Sequence, residues 1–346
     1  MKKNKITKID SIKDYLDFIG SDKEYKAEMQ NCEVCGSNNF FQLLSHTDAG
    51  NDVLAPLPVQ ACNKCGFIMQ NPRFSKEYYK RFYSEFYPQS RVRSKSNDPD
   101  DPKSIGGKQV VTKDGRPTEN HYQSAYKRAK YLYSYIKEKG FNIPKKSFLD
   151  VGCGCGAFLE YFNDEGFETY GNDPEPMSVE MALEKGIHID NIPGEEMLFE
   201  DEKFGIIIIM GSLEHVHDPN IILKKCWQYL AEDGLLVLQG RFYPVSESFR
   251  WLNSNHHRFL TNETIQSIAI KHGFSILEST INPVCGEGTG RKGNGFLFAS
   301  KSSKNKAYYD KDCMNDLLSL LQENSLVKTP EELKNFINSH DKKFSS

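Results

Sequence analysis

The chain has 346 residues, of which 38% are hydrophobic and 26% are charged. This composition excludes a fully disordered protein, and the length allows two domains, one of them a complete α/β core. The 44 basic and 47 acidic residues leave a formal charge of -3, so no general basic footprint for nucleic acid is present. No apolar run approaches the roughly 20 residues that span a bilayer, and the N-terminus lacks the apolar core of a signal peptide. We expect a soluble, cytoplasmic protein with no membrane insertion and no nucleic-acid partner.

Residues 1–30 are rich in charge, with apolar side chains at helical spacing from Ile9 to Ile19. This pattern predicts a short surface helix, to which we assign no function. Residues 31–89 follow as a separate module that contains two Cys-x-x-Cys-Gly sequences.

Those two sequences contain four of the nine cysteines: Cys32, Cys35, Cys62 and Cys65. Each pair is followed by a glycine, which allows the tight turn that points backbone amides at thiolate sulfurs. Four thiolates suit tetrahedral Zn²⁺ in a closed structural site, which would staple a module too small to bury its own core. Two disulfides or four free thiols are the alternatives.

Six aromatic residues come directly after the second pair, spaced so that one helix could present them on one face: Tyr78, Tyr79, Phe82, Tyr83, Phe86 and Tyr87. They would either pack between domains or line the mouth of a substrate site. Residues 90–120 are polar and contain Ser, Asp, Pro and Gly, which predicts a flexible linker or a lid.

Strands and helices alternate through residues 121–301, which predicts a doubly wound, mostly parallel, Rossmann-like sheet of seven strands. A helix over 121–139 precedes the sheet. The predicted strands are 147–151, 168–172, 187–190, 204–210, 234–239, 274–284 and 295–300, and the predicted helices are 157–165, 175–185, 220–231 and 261–272. The last two strands would form a hairpin around the glycine-rich stretch 286–295. Residues 302–346 are predicted to form a helical appendage.

The first predicted strand ends in a glycine turn that looks like a cofactor-binding loop. Asp150 precedes the three glycines Gly152, Gly154 and Gly156, and an apolar helix starts directly after them. Asp173, about 20 residues further on, could accept hydrogen bonds from a ribose. The turn also satisfies a dinucleotide fingerprint, but the Asp150 carboxylate would repel a pyrophosphate and suits a cationic ligand such as S-adenosylmethionine (SAM).

Four motifs in order resemble the class I SAM-dependent methyltransferases: L-D-V-G-C-G-C-G, Y-G-N-D, the segment from Phe204 to Pro219, and D-G-L-L-V-L. One departure is Gly205, where the family often has Asp, and we expect it to loosen the entry to that strand. The resemblance implies that SAM binds at the carboxyl ends of the strands. It assigns cofactor contacts to Asp150, Gly152, Cys153, Gly154, Gly156, Asp173, Glu195, Ser212 and Leu213, although Glu196 competes with Glu195 for the adenine edge.

The chemistry expected is displacement at the sulfonium methyl by an acceptor, with the protein supplying alignment and, where needed, a base. His215 in the L-E-H-V segment is the first candidate base, and Glu214 lies next to it. His256 and His257 are further candidates, on a predicted loop over the site. Asp218 and Pro219 are instead predicted to be the N-cap and first residue of a helix.

The module with two cysteine pairs resembles a methyltransferase subgroup associated with sugar and surface-polysaccharide pathways, which suggests a sugar or nucleotide-linked sugar as acceptor. The alternatives are an NAD-dependent oxidoreductase, an RNA methyltransferase and a non-catalytic zinc and cofactor-binding module. The near-neutral charge, and the lack of Lys or Arg from Cys35 to Asn63, disfavour RNA.

Overall fold

A computed structural model describes residues 7–18, 27–50, 53–86, 111–112, 115–241, 256–260, 262–280, 284–285 and 294–301. The predicted appendage 302–346 lies outside these residues, as do most of the predicted linker 90–120 and most of the stretch 286–295. The described residues fall into two compact units. The first contains those of Met1–Tyr79 and Arg241–Ile268, and the second contains those of Lys80–Gly240 and Ala269–Ala307.

The first unit is built from short strands that mostly pair antiparallel, although β1 pairs with β5 in parallel. Its elements are β1 (Thr7–Lys8), α1 (Ile12–Phe18), β2 (Ala27–Glu28), β3 (Phe40–Leu44), β4 (Thr47–Gly50), β5 (Val53–Ala55), β6 (Val59–Cys62), β7 (Ile68–Gln70), β8 (Arg73–Phe74) and β13 (Arg258–Phe259). A four-stranded sheet has the order β13-β7-β6-β3, and smaller sheets have the orders β1-β5-β4 and β2-β8. The predicted N-terminal helix is confirmed as α1, which buries Tyr15 and Leu16.

Strand β13 comes from a distant part of the sequence. Arg258 pairs with Met69 and Phe259 with Ile68, antiparallel to β7. The sequence analysis placed these residues on a loop in the 121–301 domain. In the structure they complete the sheet of the first unit, because β7 offers a free edge and, as described below, Arg258 meets a buried carboxylate.

The second unit contains the predicted parallel sheet. From α2 onward the elements are α2 (Lys76–Arg81), a π-helical turn (Phe82–Phe86), α3 (Glu119–Lys139), β9 (Ser147–Val151), α4 (Ala157–Asp164), β10 (Glu168–Asn172), α5 (Pro176–Glu184), a 3₁₀ turn (Gly194–Glu196), β11 (Phe204–Met210), α6 (Pro219–Tyr229), β12 (Leu230–Arg241), α7 (Asn262–Lys271), β14 (Ser275–Thr280) and β15 (Asn294–Ser300). The division between the units falls within α2, after Tyr79, and within α7, after Ile268. The sheet order is β10-β9-β11-β12-β15-β14. Strands β10, β9, β11 and β12 pair in parallel, and β14 runs antiparallel to β15, as the predicted hairpin requires.

The described part of this sheet has six strands, where the sequence predicted seven. The predicted strand 187–190 forms only an isolated parallel bridge between Asn172 and Asp190. The chain turns at once, since the Ile192 amide donates back to the Asp190 carbonyl and Pro193 follows. Pro193 has no amide proton, so it could not extend the ladder.

Burial explains why β9 and β11 are interior strands of the sheet. All five residues of β9 are buried, and Ile206 to Ile209 of β11 are fully buried, as expected of a parallel sheet covered on both faces. The entry of β11 is irregular at Gly205, as expected, because the register with β12 shifts between Phe204 and Ile206. A Cβ there would lie 1.9 Å from the Lys145 carbonyl oxygen, so glycine is what allows the close approach of the two backbones.

Helix ends match the sequence signals. Asp218 accepts a hydrogen bond from the Asn220 amide at 2.8 Å, and Pro219 is the first residue of α6, which confirms their predicted structural roles. Thr118 caps α3, and Gly140 ends it with a φ of 67°. Among the described residues, no helix has the combination of length and apolar character needed to cross a membrane.

Candidate functional site

The glycine turn follows β9 and precedes α4. Gly152, Gly154 and Gly156 all have a positive φ, of 76°, 55° and 79°. The amides of Gly152 and Cys153 both donate to the Asn172 carbonyl at 3.0 Å, which fixes the turn to the end of β10. A Cβ on Gly152 would lie 2.7 Å from the Cβ of Ser212, so the loop after β11 also contacts the turn. The carboxyl ends of three neighbouring strands therefore meet at this point, as predicted.

Asp150 is buried directly before the turn. It is 2% exposed, and no hydrogen bond or ion pair to it is found among the described residues. The pKa of Asp150 is raised to about 8, mainly by burial and also by the Asp173 charge, while the Arg128 charge opposes both. A carboxyl group in this position is complementary to a cationic ligand.

Asp173 ties the turn to the end of β10. One carboxylate oxygen accepts from the Gly154 amide at 2.8 Å, and the other accepts from the Glu175 amide at 2.9 Å. The N-cap of α5 is Glu175, whose carboxylate accepts from the amides of Met177 and Ser178. Contact between Asp173 and a ribose stays a prediction.

Arg128 is a site residue that the sequence analysis missed. It lies on α3, its Nε is buried without a hydrogen-bond partner, and its guanidinium is 5.8 Å from the ring centre of Phe158 at the start of α4. Its positive charge lowers the pKa of Asp150, which places it near the turn. Arg128 shares a helix face with Ala125 and Leu132, and a basic residue on this apolar face was the signal available in the sequence.

The loop after β11 contains the predicted catalytic pair. Ser212 Oγ donates to the Val151 carbonyl at 2.8 Å, and the His215 amide donates to the Ser212 carbonyl at 3.0 Å. Leu213 and Glu214 are buried, and His215 is partly exposed. The Tyr83 ring lies perpendicular to the His215 ring, with 6.4 Å between their centres. Tyr83, one of the six aromatic residues that follow the second cysteine pair, therefore lies next to the candidate base His215.

The two competing glutamates have different partners. One Glu195 oxygen accepts from the amides of His217 and Asp218, at 2.9 and 3.2 Å, so it holds the loop after β11 in place. Glu196 pairs with Lys80 at 3.0 Å. Contact between Glu195 and adenine stays a prediction. The hydrogen bonds to the loop use one carboxylate oxygen of Glu195, Oε1, and not the other.

His256 and His257 belong to the first unit. The His257 side chain is completely buried, its ring centre lies 4.0 Å from that of Tyr79, and its carbonyl accepts from the Gln70 amide at 2.7 Å. His256 is 7% exposed.

The four cysteines of the predicted zinc site lie together in the first unit. Their sulfurs are all within 4.8 Å of one another, with Cys32 to Cys65 at 3.5 Å and Cys35 to Cys62 at 3.6 Å. A tetrahedral site with Zn–S bonds of about 2.3 Å separates its sulfurs by about 3.8 Å, which is close to these distances. The disulfide alternative is excluded because all four are free cysteines.

A buried ionic triad adjoins the first cysteine pair. Glu33, between Cys32 and Cys35, receives two hydrogen bonds from Arg258 at 2.6 and 2.7 Å, and Arg73 approaches the same carboxylate at 2.6 Å. All three side chains are at most 3% exposed. Burial raises the pKa of Glu33, but the Arg258 and Arg73 charges outweigh it and bring the pKa down to about 2.

Residues 121–279 match the family model described as a methyltransferase domain. The matched segment contains the sheet from β9 to β12, the glycine turn and the loop after β11. Residues 121–279 are therefore similar to a methyltransferase domain.

Two relatives are named ubiquinone biosynthesis O-methyltransferase. The one from Pasteurella multocida is 38% identical over 119 residues, which cover 30% of this chain and 49% of the relative. The one from Haemophilus ducreyi is 33% identical over 117 residues, covering 31% and 50%. The chain thus spans about half the length of these relatives. A crystal structure from Thermotoga maritima, a possible histamine N-methyltransferase, is 18% identical with a TM-score of 0.40, covering 53% of this chain and 95% of that one.

Proposed function

We propose that the chain transfers a methyl group from SAM to a hydroxyl group of a small-molecule acceptor. The observation that carries this proposal is that an acid and a base lie near the glycine turn without forming an ion pair: Asp150 is buried without a hydrogen bond, and the Nε of Arg128 is buried without a hydrogen-bond partner. The methionine half of SAM has cationic groups and one carboxylate, so the two side chains offer a complementary charge to each end. The pyrophosphate of NAD would instead face the two acids Asp150 and Asp173, which disfavours the oxidoreductase alternative.

We propose that other residues near the turn contact the same ligand. Glycine at positions 152 and 154 allows the positive φ angles of the turn. We propose that Asp173 accepts hydrogen bonds from the ribose hydroxyls and that Glu195 contacts the adenine, and their contacts with Gly154 and with the loop after β11 support this proposal. We further propose that Cys153, Gly156, Ser212 and Leu213 complete the pocket. When bound, SAM supplies an activated methyl group; these residues orient it and keep water out.

His215 is our first candidate for the base that takes the acceptor proton. It follows the buried Glu214 on the loop after β11, beside the ring of Tyr83. Complete burial of His257 against Tyr79 favours a packing role for that residue, so His257 and His256 stay second candidates.

The zinc proposal concerns stability. We propose that Cys32, Cys35, Cys62 and Cys65 hold one structural Zn²⁺, because four sulfurs leave no position for a substrate. No observation favours RNA as acceptor.

The class of acceptor is tested by transfer of a labelled methyl group from SAM to phenolic compounds and to nucleotide sugars in parallel. The names of the relatives favour hydroxyl methylation, whereas only the resemblance of the cysteine module suggests a sugar. We expect label in one of these panels, and we expect His215→Asn to lose turnover while S-adenosylhomocysteine (SAH) still binds. His188→Asn is the matched control, since His188 is 87% exposed. No transfer to any hydroxyl compound, with label found on amines instead, would contradict the proposal.

A further inference from the structure

Gln239 is a buried amide near the carboxyl end of β12, and it belongs to none of the groups proposed above to hold SAM. It is 6% exposed, and no hydrogen bond of its side chain is found among the described residues. Buried side-chain amides are ordinarily hydrogen-bonded, because a buried amide without a partner is costly. That cost is removed when a bound ligand supplies the partner.

The alternation of strand residues places Gln239 on the same face of the sheet as Asp150. Leu235 and Val237 of β12 belong to the hydrophobic core that α3 covers, and Gln239 is the next residue of this row. Phe148 of β9 belongs to the same core, and Asp150 is the next residue of its row. Both side chains therefore lie near the carboxyl end of the face that α3 covers.

The sheet order places Gln239 on the far side of Asp150 from the residue proposed for the ribose. Asp173 follows β10, which stands first in the order β10-β9-β11-β12. Gln239 lies two strands from β9 in the other direction, which corresponds to about 10 Å at about 4.8 Å per strand. The end of β12 is thus displaced from the cofactor residues on β9 and β10, towards the side where an acceptor has room.

Gln239 also lies beside the loop that carries the candidate base. It is aligned with Met210, the last residue of β11, in the parallel ladder. Its Oε1 lies 3.8 Å from the position that a Cβ on Gly211 would take, at the first residue of the loop after β11. His215 lies on this loop, so an acceptor that meets His215 approaches the sheet next to the Gln239 amide.

We propose that Gln239 binds a second hydroxyl group of the acceptor, in addition to the hydroxyl that receives the methyl group. This inference rests on the proposed function. An amide and a hydroxyl each contain a donor and an acceptor, so the two groups can pair in either direction. A charged group would instead call for an ion pair, which Gln239 does not offer. The acceptor class is therefore an uncharged region with at least two hydroxyl groups, which Gln239 orients while His215 stays the candidate base.

The test is steady-state methyl transfer by the full-length, zinc-loaded protein to the hydroxyl compound that gains most label in the two panels. Gln239→Met keeps a side chain of similar length and removes its amide. We expect KM for this compound to rise about 10- to 100-fold and kcat to change by less than about threefold. The dissociation constant of SAH should stay within about twofold, whereas a merely structural role of Gln239 would weaken SAH binding as well. Gln228→Met, at an exposed glutamine of α6, is the matched control and should behave as the wild type.

An analogue that has hydrogen in place of the second hydroxyl, as phenol has relative to catechol, identifies the partner of Gln239. In the wild type, KM for the analogue should be about tenfold or more above KM for the parent compound. Gln239→Met should hardly distinguish the two compounds, because the hydrogen bond is already lost. A best acceptor with a single hydroxyl group, or an equal loss for the analogue in the wild type and in Gln239→Met, would overturn the inference.

The outcomes are distinct for the two proposals. If SAH does not bind and no hydroxyl compound gains label, the proposed function fails. If label is transferred and Gln239→Met has the KM of the wild type, the proposed function stands and the inference about Gln239 is overturned.

Discussion

Gly152 and Gly186 share a backbone conformation but differ in their surroundings. Both have a φ near 77°, at 76° and 78°, but a Cβ on Gly152 would meet Ser212 at 2.7 Å, whereas a Cβ on Gly186 would meet nothing within 4 Å. We expect Gly152→Ala to cost about 2–4 kcal/mol of unfolding free energy, because strain and a collision add, and to weaken SAH binding.

Gly186→Ala is the control for strain alone. It should cost about 1–2 kcal/mol and leave SAH affinity unchanged. Chemical denaturation and calorimetry measure both quantities. Equal costs for the two variants would mean that contact between the turn and the loop after β11 has no energetic weight.

Arg128 allows a direct test of the charge pairing in the proposed site. Arg128→Met removes the guanidinium that we place near the carboxylate of the ligand, and we expect SAH affinity to fall by about 10- to 100-fold. Lys127→Met changes the neighbouring, exposed position of the same helix and should have no effect. Unchanged affinity in Arg128→Met would remove Arg128 from the site.

Glu33 is predicted to be the most acid-sensitive group of the first unit. Its folded pKa of about 2 lies below the ordinary 4.5, so the stability it contributes is fully present above pH 4.5 and is lost as the pH falls towards 2. The shift corresponds to about 3 kcal/mol. Glu33→Gln, which leaves two buried guanidinium groups without their carboxylate, should cost about 3–5 kcal/mol.

The exposed Glu28 in the same unit supplies the control, because Glu28→Gln should change stability by less than about 0.5 kcal/mol. Urea denaturation followed between pH 7 and pH 3 compares the two variants. An equal, small effect of both would show that the triad contributes nothing.

Single residues were predictable where the chemistry is local in sequence. Asp150 and the three glycines of the turn lie within seven residues, and together they predict the cofactor site. The Glu33, Arg73 and Arg258 triad could not be predicted, since its members are 225 residues apart at the extremes and no short pattern links them. Arg128 was missed although its place on an apolar helix face was a local signal, because its position near Asp150 depends on the packing of α3.

At the scale of elements, the helices and strands that could be predicted are those whose pattern of apolar residues lies within one continuous segment. The bounds of β9, β10 and β11 agree with the predicted ranges 147–151, 168–172 and 204–210. Each strand is a continuous run of strand-forming residues between clear turn signals. The segment 187–190 has similar apolar content, but a turn and a proline cut short its pairing. Strand β13 has two residues and depends on a distant edge, so no local pattern could reveal it.

Removal of metal is predicted to loosen the elements around the cysteines. The second cysteine pair joins β6 to β7, and β7 in turn holds β13. Without zinc, the amides of Ile68, Met69 and Gln70 should exchange faster with deuterium, because the turn that fixes the hairpin is no longer held.

Strands β9 and β11 of the second unit are the internal reference and should keep their protection after chelation. Mass spectrometry of the chelated and zinc-loaded protein compares the segments directly. Equal exchange of Ile68 to Gln70 in both samples would refute a stabilising metal at this site.

At the scale of the whole molecule, the chain alternates between its two units. The first unit contains one segment that precedes β9 to β12 in the sequence and one segment that follows them. The chain therefore leaves the second unit at the end of β12 and returns to it within α7. Composition and length predicted two domains, but the sequence analysis drew their boundaries as consecutive segments. Such an interleaved division depends on contacts between distant residues and has no signature in local composition.

The central claim is that a SAM-type ligand binds at the glycine turn beside Asp150 and Arg128. The most direct measurement is calorimetric titration of the zinc-loaded, full-length protein with SAH and, separately, with NAD. The account predicts one SAH bound per chain with a micromolar dissociation constant, of about 1–100 μM, and no heat from NAD. Binding of NAD without binding of SAH would contradict it.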